Sequence, residues 1–488
     1  MDTFEKEEAE SHHNPILFTS SMEPIKNINF ENCSPRSSAQ LSGVMEISME
    51  KMRPLFMFRN PLDSISVWSH TTMFLSLLFD AVAPIIQVIS FTLSYFLGFY
   101  FLKGYNDAAL EASLGLYTSF MNFFCLSVAV SLGEKLGVCA SEAYGAQRYD
   151  KLKKYLKLSV VSGVLFFVAF MLPLSIISPY LLNLMRLEEL VVTTTTSMLR
   201  LSIPIMITTV SGEIIKTFGY SQGIEAPFGY TNTVTLVLTT PLMYYLMVVQ
   251  GYGCNGFVIT KIVNEILNIL VYFVIVHIKC KPETIGWDSE TPIFTPELKE
   301  YTIDCVKYII SFYFDWFTFE MNTIFAMSIG DTNALAAFTI WVNIAGFMFY
   351  AGMGISNVLR TRLNAFIGMG LNKAAERFYW WFIIMNQILT TILRVFTWFL
   401  RFWLISIYTE NQKVADPLLK IMEVYIVLAV MELNFNTVMV GIRSIGRVDF
   451  VIKLNLVFAL PFMFFVGLLG LHVFGYGIWW LSFTFAIG

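Results

Sequence analysis

The sequence is poor in charge. Asp, Glu, Lys and Arg make up 14% of its 488 residues, whereas hydrophobic residues reach 56%. Soluble domains carry about 25% charged residues, so this composition excludes a soluble enzyme, a disordered regulator and a fibrous protein. Long apolar runs that are interrupted by small clusters of charge are typical of a polytopic membrane protein.

Paired cysteines and catalytic motifs are also missing. None of the six cysteines forms a Cys-x-x-Cys pair, and most lie inside apolar runs, which favours small buried hydrophobes over disulfides or a metal site. The sequence contains no HExxH, Walker A, GxSxG or GxGxxG motif. We therefore predict no enzyme, no metal centre and no cofactor. Without a nucleotide site, any work that this protein performs must draw on an ion gradient.

Residues 1–60 lack long apolar runs. They combine acidic residues with a Ser/Pro-rich stretch around 34–38 and contain no signal-peptide core. We predict that they form a disordered cytosolic tail.

Eleven apolar segments follow the tail, and each is long enough to cross a membrane as a helix, which takes roughly 20 residues. They are continuously apolar and lack the alternation of barrel strands, so we predict an all-α polytopic membrane protein. A twelfth segment begins near Gly475 and has too few residues for a full span, so its helix is predicted to be incomplete. The eleven segments are 72–102, 113–140, 155–182, 191–218, 228–249, 254–278, 303–329, 334–359, 378–407, 415–442 and 450–472.

Lys and Arg are concentrated in every second connection between the predicted spans. The basic connections lie at 148–157, 279–299, 360–377 and 443–453, with Lys216 near a further one, and the intervening connections have few bases. Because Lys and Arg mark the cytoplasmic side, we predict that the basic connections and the N-terminus face the cytosol. The sequence leaves open whether the protein lies in the plasma membrane or in an endomembrane.

A weak internal repeat lies under this pattern and predicts two homologous halves of six helices, residues 61–279 and 301–488, joined by a cytosolic linker at 280–300. An even number of spans in each half makes the repeats parallel, related by an axis along the membrane normal. The short matches share nearly one offset along the chain: Ala109–Ala112 with Ala334–Ala337, Gly145 with Gly368, Gly223 with Gly446, and Gly251–Gly253 with Gly475–Gly477.

Motifs at the ends of the spans carry a family resemblance. They are S-E-A-Y-G-A-Q at 141–147, S-Q-G-I-E-A-P at 221–227, T-R-L at 361–363 and D-W-F-T-F-E at 315–320. In this order and spacing they resemble the multidrug and toxic compound extrusion (MATE) transporters of the eukaryotic type. The sequence departs from the family at Gly137-Val138, where an acid and a threonine are usual, and it lacks the first-span aspartate of some members.

The resemblance implies two six-helix bundles around a central cleft, and export of organic cations or xenobiotics in exchange for protons, or for sodium ions, by alternating access. The partners would be a small organic cation and the lipid bilayer, with no nucleic acid, and the protein would be a monomer. Two alternatives stay open. One is an organic-anion or metabolite exporter, or a lipid-linked sugar flippase, of the same superfamily. The other is a receptor or channel that does not transport.

Acids inside the spans are the candidate coupling residues, because intramembrane charges are costly and usually functional. Glu320 and Asp315 lie on the seventh span and Glu432 lies on the tenth. Asn436 and Arg443 follow Glu432 on one helical face. We expect Glu320 to face the cleft and Asp315 to point into the second half.

Other polar and aromatic residues have structural interpretations beside functional ones. Asn343, Asn436, Trp316 and Phe319 are candidates to line the cavity, although packing between helices also explains them. Lys261 with Glu265, and Glu213 with Lys216, are spaced for local ion pairs. Arg443 is interpreted as a cytosolic topology anchor.

Overall fold

The computed structural model describes the chain from residue 67 onward, with short gaps. Along some helical stretches, among them 67–78, 315–321 and 427–436, it describes the backbone alone. The predicted N-terminal tail lies outside the described residues. The described residues are 67–102, 105, 108–184, 189–286, 292, 295–328, 332–408, 412–481 and 483.

Six helical rods make up the described part of the first half of the chain. Several pass through a π turn without losing direction, and the fourth is broken at Ser202, where its two parts meet at 50°. They are α1 Val67–Leu102; α2, which comprises Ala108–Phe120, Met121–Leu126 and Ser127–Gly145; α3, which comprises Tyr149–Phe166, Phe167–Met171 and Leu172–Leu184; α4, which comprises Glu189–Leu201 and Ile203–Tyr220; α5, which comprises Ala226–Tyr244 and Tyr245–Val249; and α6 Gly253–Lys279.

Five rods follow among the described residues of the second half, and residues 479–481 are helical again after a turn at 474–478. They are α7 Pro296–Ser328, α8 Thr332–Gly368, α9 Asn372–Tyr408, α10 Gln412–Ser444, and α11, which comprises Val448–Leu454, Asn455–Ala459, Leu460–Leu468 and Leu469–Val473.

The rods correspond to the eleven predicted spans. In the described part of the chain, seven are long and apolar enough to cross a membrane on composition alone, and the bent α4 is an eighth if it counts as one span. Three more, α7, α8 and α10, have 33, 37 and 33 residues. At 1.5 Å per residue each measures about 50 Å, which exceeds the bilayer core of about 30 Å.

Proline explains the break in α4. Pro204 lies in the first turn after Ser202, where its ring and missing N–H interrupt the backbone hydrogen bonds that would continue the helix. Ser202 begins the second part and donates its hydroxyl to the carbonyl oxygen of Leu199 at 2.8 Å. The break therefore follows from local sequence and leaves both parts anchored.

The predicted repeat is present in the backbone. Gly223 and Gly446 have φ values of 77° and 76°, and Gly251 and Gly475 have φ values of 71° and 64°. A left-handed residue is needed where these turns leave a helix, and glycine adopts it without steric cost. The π turns Tyr245–Val249 and Leu469–Val473 also correspond, with the same separation along the chain as Gly251 and Gly475. The two halves thus share turns as well as spans.

The basic connections gather at one end of the molecule, which we call the basic end. Thr284 donates to the side-chain oxygen of Gln222 at 3.0 Å, and the Lys281 ammonium donates to the Tyr149 hydroxyl at 3.0 Å. These contacts join the 2–3, 4–5 and 6–7 connections. As predicted, alternate connections lie on a common side.

Candidate functional site

At the basic end, the ends of α2 and α8 touch with almost no space between their backbones. A Cβ atom added to Gly145 of α2 would lie 2.3 Å from the carbonyl oxygen of Ala365. One added to Gly368 of α8 would lie 2.1 Å from the carbonyl oxygen of Glu142. The two pairs of counterparts, Gly145 with Gly368 and Glu142 with Ala365, have the same separation along the chain. The halves therefore meet here about their pseudo-two-fold axis.

One carboxylate of the first half lies between two arginines of the second. Oxygens of Glu134 on α2 lie 3.4 Å from a guanidinium nitrogen of Arg360 on α8 and 3.5 Å from one of Arg443 on α10. Arg443 also donates to the Ser311 hydroxyl of α7, at 3.0 and 3.2 Å. All three charged residues are at most 7% exposed. Four helices from both halves thus meet at one buried charge cluster.

A second ion pair crosses the same interface. Arg362 on α8 donates to the carboxylate of Asp80 on α1. Beside it, the Thr361 hydroxyl donates to the carboxyl of Glu225 at 3.4 Å. Glu225 lies in the connection between α4 and α5, outside the spans, and burial raises its pKa to about 7 even though Arg362 acts to lower it.

The edge of the interface carries a more exposed pair of opposite polarity. The ammonium of Lys135 on α2 donates to a carboxylate oxygen of Asp304 on α7 at 2.8 Å. The hydroxyl of Ser159 on α3 and the hydroxyl of Tyr301 on α7 share a hydrogen bond of 2.5 Å. These contacts extend the junction of the halves from α1 and α2 to α3.

We call this junction the basic-end seal: the glycine contacts of Gly145 and Gly368, and the ion pairs of Glu134 and Asp80 with Arg360, Arg362 and Arg443. A buried ion pair adds little net stability, because desolvation offsets most of the attraction. Water that enters an opening interface can solvate both partners again. The arrangement therefore closes one end of the space between the halves and can be broken at modest cost.

The side chains of the predicted coupling acids lie outside the described residues. Their helices are described: Asp315 and Glu320 lie on α7, and Glu432 lies on α10. The predicted cavity-lining residues lie outside the described side chains too: Trp316 and Phe319 on α7, Asn343 on α8 and Asn436 on α10. The roles assigned to these residues stay predictions.

Backbone positions nevertheless place two of the acids at similar depth. The antiparallel helices α7 and α10 are held in register by the contact of Ser311 with Arg443. Glu320 lies nine residues beyond Ser311, and Glu432 lies eleven residues before Arg443, both on the side away from the seal. At 1.5 Å per residue these separations are about 14 and 16 Å. The two acids thus lie at comparable distances above the closed end.

The two local ion pairs expected from spacing are confirmed. Lys216 donates to Glu213 on α4, and the Lys261 ammonium lies 3.7 Å from a carboxylate oxygen of Glu265 on α6. Arg394 bonds to its own helix, to the Thr390 carbonyl at 3.2 Å and the Thr391 hydroxyl at 2.8 Å.

The interpretation of Arg443 as a topology anchor is incomplete, because its side chain is 3% exposed and belongs to the seal. Arg360, counted among the bases of a connection, is likewise buried. Sequence reasoning missed Glu134 altogether. The signal was present, since an acid inside the apolar segment 113–140 is a functional candidate by default.

Comparison with known proteins identifies the family. The sequence profile of the MatE family matches the chain twice, over residues 84–245 and 308–469. The two matches are equally long, and their separation equals that of Gly251 and Gly475, which agrees with the repeat seen in the backbone turns.

Curated relatives show weaker similarity. Protein DETOXIFICATION 3 of Arabidopsis thaliana is 20% identical over 284 residues, which cover 56% of this chain and 58% of that protein. Protein DETOXIFICATION 37 of the same plant is 24% identical over 273 residues, which cover 54% of this chain and 52% of that protein. The chain thus spans about half the length of the curated relatives that it matches.

The fold is also found among solved structures. The eukaryotic MATE transporter AtDTX14 superposes with a TM-score of 0.75 at 17% sequence identity, over 85% of this chain and 94% of that one. Both profile matches, the two-fold backbone repeat and this superposition agree. The chain belongs to the MatE family, and it is an integral multi-pass membrane protein with the fold of the MATE transporters.

Proposed function

We propose that this protein is an antiporter that exports organic cations in exchange for protons. The observation that carries the proposal is the basic-end seal, in which Glu134 and Asp80 of one half pair with arginines of the other. Halves joined by contacts of this kind can separate at one end and close at the other, as the rocking of two repeats requires. The basic end would face the cytosol, because Lys and Arg gather there.

The coupling chemistry falls to the acids of the second half. Glu320 and Glu432 lie at comparable depth on α7 and α10, on the far side of the seal. A carboxylate in the cleft can hold either a proton or an organic cation, and competition between the two couples their flows. Protons that enter from the outer side would displace the cation there, and cytosolic cations would displace the protons after the seal has opened.

The test is transport in proteoliposomes that are loaded with a fluorescent organic cation. A pH gradient should drive its release, and an equal sodium gradient should not. Glu320→Gln keeps the shape of the side chain but fixes it in the neutral form, so proton-driven release should fall at least about a hundredfold, the lower end of the range typical of a lost acid–base group. Asp315→Asn is expected to impair release less, because five residues at about 100° each place Asp315 about 140° from Glu320 around a straight helix.

The control is Glu423→Gln. This acid lies on α10 and is paired at 3.5 Å with Arg401, and its side chain is 40% exposed. It should transport like the unmodified protein. If Glu320→Gln releases the cation at the wild-type rate, a proton and a cation do not compete for this carboxylate, and the proposed coupling is wrong for any substrate.

An anion or metabolite carrier is the second candidate, and one observation favours it. Arg360, Arg362 and Arg443 all belong to the second half, so an opened seal would present three bases to an anion. Arg394→Ala separates the candidates within the span. Cation release should persist in that variant, whereas an anion carrier that uses this intramembrane base should lose its cargo.

A further inference from the structure

The first half contains a small polar cavity that the coupling scheme above does not use. It has a volume of about 10 Å³, the space of one water molecule. Residues of three helices line it: α1, α5 and α6. Its polar lining includes Ser90, Ser94, Lys261, Asn264, Glu265 and Asn268.

The ammonium of Lys261 lies in this cavity without being held directly by its acid. It donates to the Ser94 hydroxyl at 3.1 Å and lies 4.8 Å and 5.0 Å from the ring centres of Phe91 and Tyr95. The nearest carboxylate oxygen of Glu265 is 3.7 Å away, beyond the roughly 2.7–2.9 Å of a direct charged hydrogen bond. The surroundings, and not the acid alone, hold the cation in place.

Asn264 and Asn268, which also line the cavity, form a hydrogen-bonded frame with Thr235 and Thr239. The Asn268 amide donates to the oxygen of Asn264 at 3.1 Å, and the Asn264 amide donates to the Thr239 hydroxyl at 3.0 Å. Thr235 donates to the Asn268 oxygen at 2.6 Å, which anchors the other end of this series of hydrogen bonds. Because these hydrogen bonds hold each amide in one orientation, the frame should survive loss of the ammonium.

The charge balance then specifies what the cavity accepts. Among the described residues that line it, Glu265 supplies the one negative charge, and the other acceptors are neutral oxygens. Hard cations prefer such carboxylate and amide oxygens. A single carboxylate matches a single positive charge, and the volume suits an ion about the size of water.

We propose that this cavity is a monovalent-cation site whose occupant is the chain's own ammonium, Lys261. This proposal rests on the proposed function and deepens it. A cation that is tethered to the chain excludes sodium from the first half and leaves ion exchange to the acids of the second half. Lys261 is then a residue that determines which coupling ion the protein can use.

The experiment measures melting temperature in detergent, in sodium chloride and in choline chloride at about 0.15 M. Lys261→Ala and Lys261→Ser each empty the site and leave Glu265 uncompensated. Both should melt about 2–5 °C higher in sodium than in choline, because an ion that binds the folded state alone stabilises it. The unmodified protein and Lys261→Ala/Glu265→Gln should show no such difference.

A matched control is Lys216→Ala, which removes the lysine of a second buried lysine–glutamate pair in the first half. It should show no sodium-specific rise. A sodium effect in the unmodified protein, its absence in both Lys261 variants, or failure of both to fold in sodium chloride would each overturn the proposal.

This readout needs no transport, so it separates the two ideas. If the proteoliposomes fail to exchange protons for cations while Lys261→Ala gains sodium binding, the antiport mechanism is wrong and the cation site stands.

Discussion

Glu134 illustrates how the environment of one residue decides its role. It lies in an apolar span and faces two guanidiniums, at 3.4 and 3.5 Å. Removing one partner from a buried ion pair is more damaging than removing the pair, because the remaining charge is left without compensation. A change at Glu134 would therefore act on both arginines together.

Glu225 yields a prediction at the same scale. Burial raises its pKa to about 7, so the folded protein binds this proton more tightly than the unfolded chain does. Its contribution is present below the unfolded value of about 4.5 and is lost as the pH rises through about 7, a change of roughly 3 kcal/mol. Glu225→Gln should therefore flatten the decline of melting temperature between about pH 5 and 8.

The exposed Glu283 lies at the same end and serves as the control, since Glu283→Gln should leave the pH profile unchanged. If Glu225→Gln follows the wild-type profile as well, this carboxyl is charged throughout the range.

Among the elements, the contact of α2 with α8 sets how closely the halves can approach. Gly145 and Gly368 lie against main-chain carbonyls of the opposite helix, which cannot move aside as a flexible side chain would. Small residues at such crossings let helix backbones approach closely in membranes. The closed seal therefore requires glycine at both positions.

Gly145→Ala and Gly368→Ala should each shift the protein toward opening at the basic end. Overpacking of this kind costs about 1–3 kcal/mol, which affects the closed state alone. Hydrogen–deuterium exchange should accelerate in the peptides that cover residues 139–146 and 362–370. Gly115→Ala is the matched control on α2, because its nearest neighbour, the Cζ of Phe99, would be 3.9 Å away. Equal exchange in all three variants would contradict the close-contact explanation.

For the whole molecule, the gathering of basic connections at one end predicts orientation. Tags in the N-terminal tail and near Glu290 should be protected in intact cells, because Lys and Arg keep their connections in the cytosol. Tags at Asn183 and near Asp331 should be reached from the opposite side. Accessibility of the Glu290 tag from the same side as the Asp331 tag would be incompatible with two halves of six spans.

Local chemistry let the sequence determine the spans, the repeat and the family. A helix that crosses a bilayer must be apolar over a fixed length, and a turn with positive φ favours glycine. Both signals are local, so the segment ends, Gly223 with Gly446, and Gly251 with Gly475 could be found without coordinates. The local pairs Glu213–Lys216 and Lys261–Glu265 were predictable for the same reason.

Only the tertiary structure decided what the charges near the basic end do. Arg360 and Arg443 were interpreted as bases of cytosolic connections. The sequence gives a residue's distance from the end of a span, but it does not give which side chains of other helices lie beside it. Their partner Glu134 is as far as 309 residues away in the chain. Such pairs form where the two halves of the chain meet, and the close contacts of Gly145 and Gly368 bring the opposite charges together.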